Sequence, residues 1–386
     1  MHFPHAATQA AAQIATQAAA APRTGRPRRR VPWILAAVAI AVLVVAAPRP
    51  LPAHAATGQT ALSDRIAGGP GAPAGDFAAA VIDDDGVRFA GRGADAHTGF
   101  EVGSISKVFG GMLLADAIER GEVSAGTTLG QIFGYPQDGS GAITLVQLAT
   151  HTSGLPRLPT SPGFLATTLF SQVANTNPYV QSTPATIDLG RRAHPDPDRG
   201  FSYSNFGAAL LGQALARVVG TSYPELVAER ITGPLGMDQT WVQSLDPDTA
   251  AASRGTAPRR PTTPATGHRP SGHVAAPWPM DGFAPAGGIH STAGDLALLA
   301  RAVLDGTAPG MASLRPLADT GDGSRVGMAW MSTPGEHPVV WHNGMTAGFA
   351  AYLGLSRDAG RAVVVLSNTA QPVDEAGVHL LEAGRP

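Results

Sequence analysis

Apolar and polar positions divide this chain into strand-like ends and a helix-like middle. Phe77 to Ile82 and Val87 to Gly91 are apolar-leaning runs on either side of Asp83-Asp84-Asp85-Gly86, which predicts a β-hairpin with an Asp-Gly turn. From Ser104 to about Glu119 the apolar residues Val108, Met112, Ala115 and Ile118 recur at helical spacing, and Gly121 stops the run. Thr144 to Ala149 reads as a short helix with a threonine cap, followed by His151-Thr152-Ser153-Gly154-Leu155-Pro156. Asn205 to Val219 carries Leu211, Leu215 and Val218 on one stripe and ends at Gly220; a further helix is predicted over Tyr223 to Ile231. Ser291 to Leu304 is a capped helix with Asp295 in its first turn, where the helix dipole favours an acid. The pattern then returns to strands at Val326–Met331, Pro338–Trp341, Gly348–Leu355 and Ala362–Ser367, and a last helix spans about Val373 to Glu382.

This arrangement predicts an α+β fold: one antiparallel sheet built from the two ends of the chain, flanked by helices, with a mainly helical region inserted. Residues 77–102 and 285–386 form the sheet-and-helix region, and 103–284 the helical one. Residues 56–76 read as a linker. The Pro-, Thr- and Asp-rich stretch 157–200 yields no assignment, and 255–284 reads as a long loop.

The N-terminus adds a location. Arg23, Arg26, Arg28, Arg29 and Arg30 precede an apolar run from Trp33 to Ala47, and Ala53-His54-Ala55 has the form of a cleavage site. Basic region, short apolar run and small-residue site make residues 1–55 a signal peptide, or an uncleaved signal anchor holding the protein to a membrane through residues 33–47. The expected location is secreted or extracytoplasmic.

Composition narrows the chemistry. With 27 basic and 29 acidic residues, the net charge of −2 gives no reason to expect nucleic acid as a partner. The absence of cysteine excludes disulfides, thiolate metal sites and a cysteine nucleophile. No metal cluster or cofactor motif is visible, and His97, His151 and His290 read as structural. The protein is expected to be a monomer acting on a small molecule or peptide.

One residue stands apart. Lys107 is the only lysine in 386 residues; every other side-chain cation counted with it is arginine. A guanidinium cannot be deprotonated in a protein, whereas burial and neighbouring charge can tune an ammonium into a base. Ser104 lies three residues upstream, on the same face of a helix that begins there. A hydroxyl beside an amine is the arrangement of an activated serine nucleophile. Tyr203-Ser204-Asn205, just before a helix, and His342-Asn343-Gly344-Met345, between C-terminal strands, are the other candidate elements.

In that order and spacing the three elements resemble the serine β-lactamase and penicillin-binding-protein superfamily, in particular the group of class C β-lactamases, DD-peptidases and related esterases. Supporting similarities are Thr150-His151-Thr152-Ser153-Gly154-Leu155, Pro234-Leu235-Gly236-Met237 and Gly287-Gly288-Ile289-His290-Ser291-Thr292. The resemblance implies a β-lactamase/transpeptidase-like fold and a hydrolase working through an acyl-enzyme on an amide or ester bond. It makes Ser104 the nucleophile, Lys107 its proton acceptor, Tyr203 a proton shuttle and His342 a helper that titrates near neutrality. Asn205, Asn343, Gly344 and Met345 would bind substrate, with the backbone N–H groups of Ser104 and Met345 as the oxyanion hole. His342 departs from the lysine of most β-lactamases, which removes a fixed charge for a substrate carboxylate; Arg269 or Arg325 is a replacement. A non-catalytic penicillin-binding or sensor domain is the alternative reading.

Overall fold

The alternation seen at Phe77–Ile82 divides that strand between two apolar layers. Ala78, Ala80 and Ile82 point into one core, while Phe77, Ala79 and Val81 point into the other. The structure is a computed structural model in which residues 48–196, 198, 200–245 and 263–383 are described. From the start of this stretch the elements are β1 (Ala56–Gly58), α1 (Thr60–Gly68), β2 (Phe77–Asp83), β3 (Gly86–Arg92), β4 (Phe100–Glu101) and α2 (Ser106–Glu119). Then come α3 (Leu129–Phe133), α4 (Leu145–Ala149), α5 (Pro162–Ala174), α6 (Thr183–Arg191), α7 (Asn205–Val219) and α8 (Tyr223–Val227). Next are β5 (Trp241–Val242), α9 (Ala284–Gly287), β6 (Ile289–Ser291) and α10 (Ala293–Leu304). The chain closes with β7 (Ala318–Asp319), β8 (Arg325–Val326), β9 (Met331–Thr333), β10 (Val339–Met345), β11 (Ala350–Ser356), β12 (Arg361–Ser367) and α11 (Asp374–Glu382).

The large sheet runs β1-β3-β2-β12-β11-β10-β9-β8-β7, antiparallel throughout. Its central join pairs Val363 with Val81 and Val365 with Ala79, so the two ends of the chain do close one sheet. Helix α10 covers one face with Leu296, Leu299 and Val303; Ile66 of α1 and Leu380 and Leu381 of α11 cover the other. A three-stranded sheet, β4-β6-β5, leads into the helical region. There α2 is buried from Ser106 to Ala117, so it has no solvent stripe and forms the centre of the helical core.

Several expectations change. Residues 56–76 are not all linker: β1 pairs with β3, and Ser63 Oγ on α1 donates to Gly91 O at 2.8 Å. The apolar residues of α1 that pack in the sheet's layer are Leu62, Ile66 and Ala67, too few to register as a period. The unassigned stretch 157–200 contains α5 and α6. Both have proline in their first turn, where its missing N–H costs nothing, so a proline-rich composition conceals two helix starts. The hairpin turns on Asp84-Asp85, with Asp83 paired to Gly86. Val326–Met331 is two short strands separated by a bend at which Ala329 has φ of 65°. Of the leader, residues 1–47 lie outside the described residues, the apolar run 33–47 among them; among the described residues no helix is long and apolar enough to cross a membrane.

Candidate active site

Ser104 sits in a single 3-10 turn, Gly103–Ile105, that feeds into α2. One turn on, Lys107 is buried at 2% exposure, and its Nζ donates to Ser104 Oγ at 2.9 Å and to Ala286 O of α9 at 2.5 Å. Burial pushes the Lys107 amine well below the ordinary lysine range, and the charge of Arg157 adds in the same direction.

Tyr203 enters from the N-terminus of α7. Ser204 caps that helix, accepting from Gly207 N–H at 2.9 Å and donating to Pro156 O at 2.7 Å. The cap fixes the preceding residue, and the Tyr203 hydroxyl shares a hydrogen bond with Ser104. Lys107 Nζ and the Arg157 guanidinium lie 5.0 and 5.3 Å from the centre of its ring. Burial pushes the phenol up, against that hydrogen bond and the Arg157 charge. The amine is therefore shifted toward its neutral, basic form and the phenol away from its anionic one.

The third wall is the end of β10. Strand β10 packs against the Gly103–Ile105 turn, and two glycines permit the approach. Gly103 has φ of 51°, and a Cβ there would lie 2.6 Å from Met345 N; a Cβ on Gly344 would run into the Val102 carbonyl. The turn and the strand end thus meet at their backbones: Met345 N is 2.6 Å from where a Gly103 Cβ would stand, and Ser104 N is 3.0 Å from a Gly344 Cβ. His342, buried on the same strand, has its ring 6.2 Å from that of Tyr203.

A serine, an amine and a phenol in mutual contact, with two convergent backbone segments, match the order of elements along the chain. The Beta-lactamase family model matches residues 66–383. This chain belongs to the Beta-lactamase family. Among curated relatives, the D-alanyl-D-alanine-carboxypeptidase/endopeptidase AmpH of Escherichia coli is 30% identical over 203 residues, 50% of this chain and 46% of that protein. Penicillin-binding protein 4* of Bacillus subtilis is 28% identical over 144 residues, 37% of this chain and 30% of that one. The matches thus span under half the length of either relative. Among solved structures, a β-lactamase/D-alanine carboxypeptidase from Pseudomonas syringae has a TM-score of 0.65 at 19% identity, covering 81% of this chain and 94% of the other. A D-stereospecific amidohydrolase from Streptomyces gives the same TM-score, identity and coverage. These likenesses are of fold.

Within this family frame, three sequence expectations need correction. His342 does not titrate near neutrality: burial, with the Lys107 charge adding to it, pushes its pKa down to about 3. Its Nδ1 lies 2.6 Å from Asn343 O, and a carbonyl only accepts, so Nδ1 carries the proton and the buried Nε2 is left as an acceptor. Asn343 turns its side chain to the opposite face of the sheet, where Nδ2 donates to Asp374 Oδ1 at 2.6 Å; strand alternation puts His342 and Gly344 at the site and Asn343 away from it. Of the two proposed replacement cations, Arg325 is placed away from the site and neutralised there. Arg325 pairs with Asp319 at 3.2 Å on the far edge of the sheet, and Arg269 donates to Asn175 at 3.1 Å.

Asn205 is at the site, but its Nδ2 donates to Tyr179 OH at 3.1 Å while its Oδ1 is buried with no partner. Three participants escaped the sequence reading: Arg157, Tyr179 and the Ala286 carbonyl. His151, read from sequence as structural, lies against the site. Its Nδ1 accepts from Ser204 N–H at 3.2 Å, its ring lies 4.5 Å from Tyr203, and it holds φ of 58°. The similarity at Thr150–Leu155 marked its neighbourhood; Arg157 and Tyr179 fall where no periodicity gave a signal.

Proposed function

We propose that this protein is an exported serine hydrolase that cleaves an amide or ester bond through an acyl-enzyme on Ser104. The observation that carries the reading is the 2.9 Å contact between Ser104 Oγ and an amine that burial shifts toward its neutral, proton-accepting form. Ser104 Oγ attacks the acyl carbon and forms the new C–O bond while its proton passes to Lys107 Nζ. The carbonyl oxygen becomes an oxyanion facing the Ser104 and Met345 N–H groups, each donor lowering the barrier by about 3 kcal/mol. Tyr203, neutral because its phenol is pushed up, gives its proton to the leaving amine or alkoxide and is resupplied from Lys107. A water then takes the leaving group's place, and the same groups run in reverse to release the acid.

His342, uncharged, offers Nε2 as a hydrogen-bond acceptor next to Tyr203 and supplies no fixed charge. The lack of that charge on β10 weighs against efficient β-lactam turnover. The histidine form of this element, which in the resembled family occurs in some DD-peptidases and many esterases, supports a DD-carboxypeptidase-like peptidase or an esterase. The basic and apolar leader before Ala55 supports export, and the substrate is a small molecule or peptide handled by a monomer. A non-catalytic penicillin-binding or sensor domain is the second reading; a Lys107 amine shifted toward its neutral form and in contact with Ser104 weighs against it.

A panel of D-Ala-D-Ala peptides, nitrophenyl esters and a chromogenic cephalosporin, with fluorescent penicillin for covalent labelling, tests this. Turnover of a peptide or ester is expected, with labelling lost in Ser104→Ala and turnover lost in Lys107→Arg, which keeps charge but not the base. Stable labelling without turnover of any substrate supports the sensor instead.

A further inference from the structure

We propose that Arg157 is an anion-recognition residue, which makes the substrate an acyl compound carrying a carboxylate on the flank that lies along the start of α7. The inference rests on the reading of Ser104 as the reactive centre and goes beyond it by assigning a substrate class.

Three observations carry it. The first is position. The Arg157 carbonyl accepts the N–H groups of Asn205 and Phe206 at 3.0 and 3.2 Å, so its backbone is locked to the first turn of α7, next to Tyr203. The second is orientation. Its guanidinium is exposed yet stands 5.3 Å from the Tyr203 ring centre, turned toward the site, and among the described residues no carboxylate forms an ion pair with it. Its charge reaches Lys107, His151, Tyr179 and Tyr203, lowering each of them, which places it on the helical side of the site. His342 on β10 takes no such influence from it.

The third is the chemistry around it. Asn205 Oδ1, buried and without a partner, is an acceptor for a substrate N–H on the same flank. His342 is uncharged, and burial disfavours the charged form of Lys107. Arg157 is thus the cation that this flank presents to an incoming ligand. An exposed guanidinium loses little hydration on meeting a carboxylate and can hold both oxygens in parallel hydrogen bonds. Arg157 meets the ligand over the Tyr203 ring, from the loop locked to α7 and not from β10, the strand that carries His342.

The test compares the mono-4-nitrophenyl ester of glutaric acid, which bears a free carboxylate, with neutral 4-nitrophenyl butyrate. The quantity read is the ratio of the two kcat/KM values. Wild type is expected to favour the acid, and Arg157→Gln to lower that ratio about tenfold, mainly through KM. Arg157→Lys is expected to recover part of it, and rising salt to erode the wild-type preference. An equal ratio in wild type and Arg157→Gln overturns the proposal. Calorimetry with glutarate on the Ser104→Ala protein, with and without Arg157→Gln, supplies an arm independent of turnover. Glutarate binding that disappears with Arg157→Gln supports the anion site even if neither ester is hydrolysed, in which case only the hydrolase reading fails. Binding absent from both proteins, or equal in both, overturns the anion site.

Discussion

At the scale of single residues, the site depends on which group can take a proton at working pH. Burial works on Lys107, Tyr203 and His342 at once, with a different result for each. It favours neutral amine, neutral phenol and neutral imidazole, and of the three only the first gains as a base. Acylation should therefore rise with pH along a limb set by Lys107, lying below the ordinary lysine range. Arg157→Gln removes a charge that lowers Lys107, so the limb should move to higher pH. Single-turnover acylation of Ser104 by a nitrophenyl ester across pH checks this; a limb that stays in place would mean that the Arg157 charge is screened from the amine. The lone lysine made this chemistry legible from sequence, because a chain otherwise using arginine retains an amine only at this place. The behaviour of His342 was not legible: its side-chain type suggests titration near neutrality, and only burial removes that.

At the scale of elements, the site is a junction of one turn, one helix start and one strand end. The Asn205–Val219 helix and the strands near Gly348–Leu355 and Ala362–Ser367 were readable because each repeats its apolar pattern for long enough to set a period. Shorter elements were not. Strands β4, β5 and β6 have two or three residues each and are held by partners distant in sequence, such as Glu101 opposite His290. The close approach of β10 to the Ser104 turn is likewise a contact between distant segments, and it depends on Gly344. Gly344→Ala should force the strand away from Val102 and lower acylation by about 100-fold or more, the effect of losing an oxyanion donor. Burst kinetics with a nitrophenyl ester would reveal it; a variant that acylates at the wild-type rate would exclude Met345 N–H from that role.

At the scale of the whole molecule, the buried site affects stability. A histidine held at about 3 when folded but titrating near 6.5 when unfolded favours the unfolded state as pH falls from about 6.5 to about 3. Between pH 7 and pH 4 this costs on the order of 3 kcal/mol. Buried His151 has the same sign, whereas Glu101, Asp295 and Asp374, raised by burial, oppose it. The informative quantity is therefore a difference. His342→Gln should lose about 3 kcal/mol less than wild type between those two pH values, measured by urea unfolding. Equal losses in the two proteins would show that His342 is protonated in the folded state well above pH 3.

The sequence by itself determined the family, the antiparallel sheet closed by both chain ends, and the serine, amine and phenol of the site, because periodicity and motif spacing are local properties of a chain. Only the tertiary structure decided the rest. It turned Asn343 away from the site, kept His342 uncharged, gave Arg325 and Arg269 partners, and brought Arg157 over Tyr203. Each of those outcomes depends on what a side chain meets across the fold, which spacing along the chain does not encode.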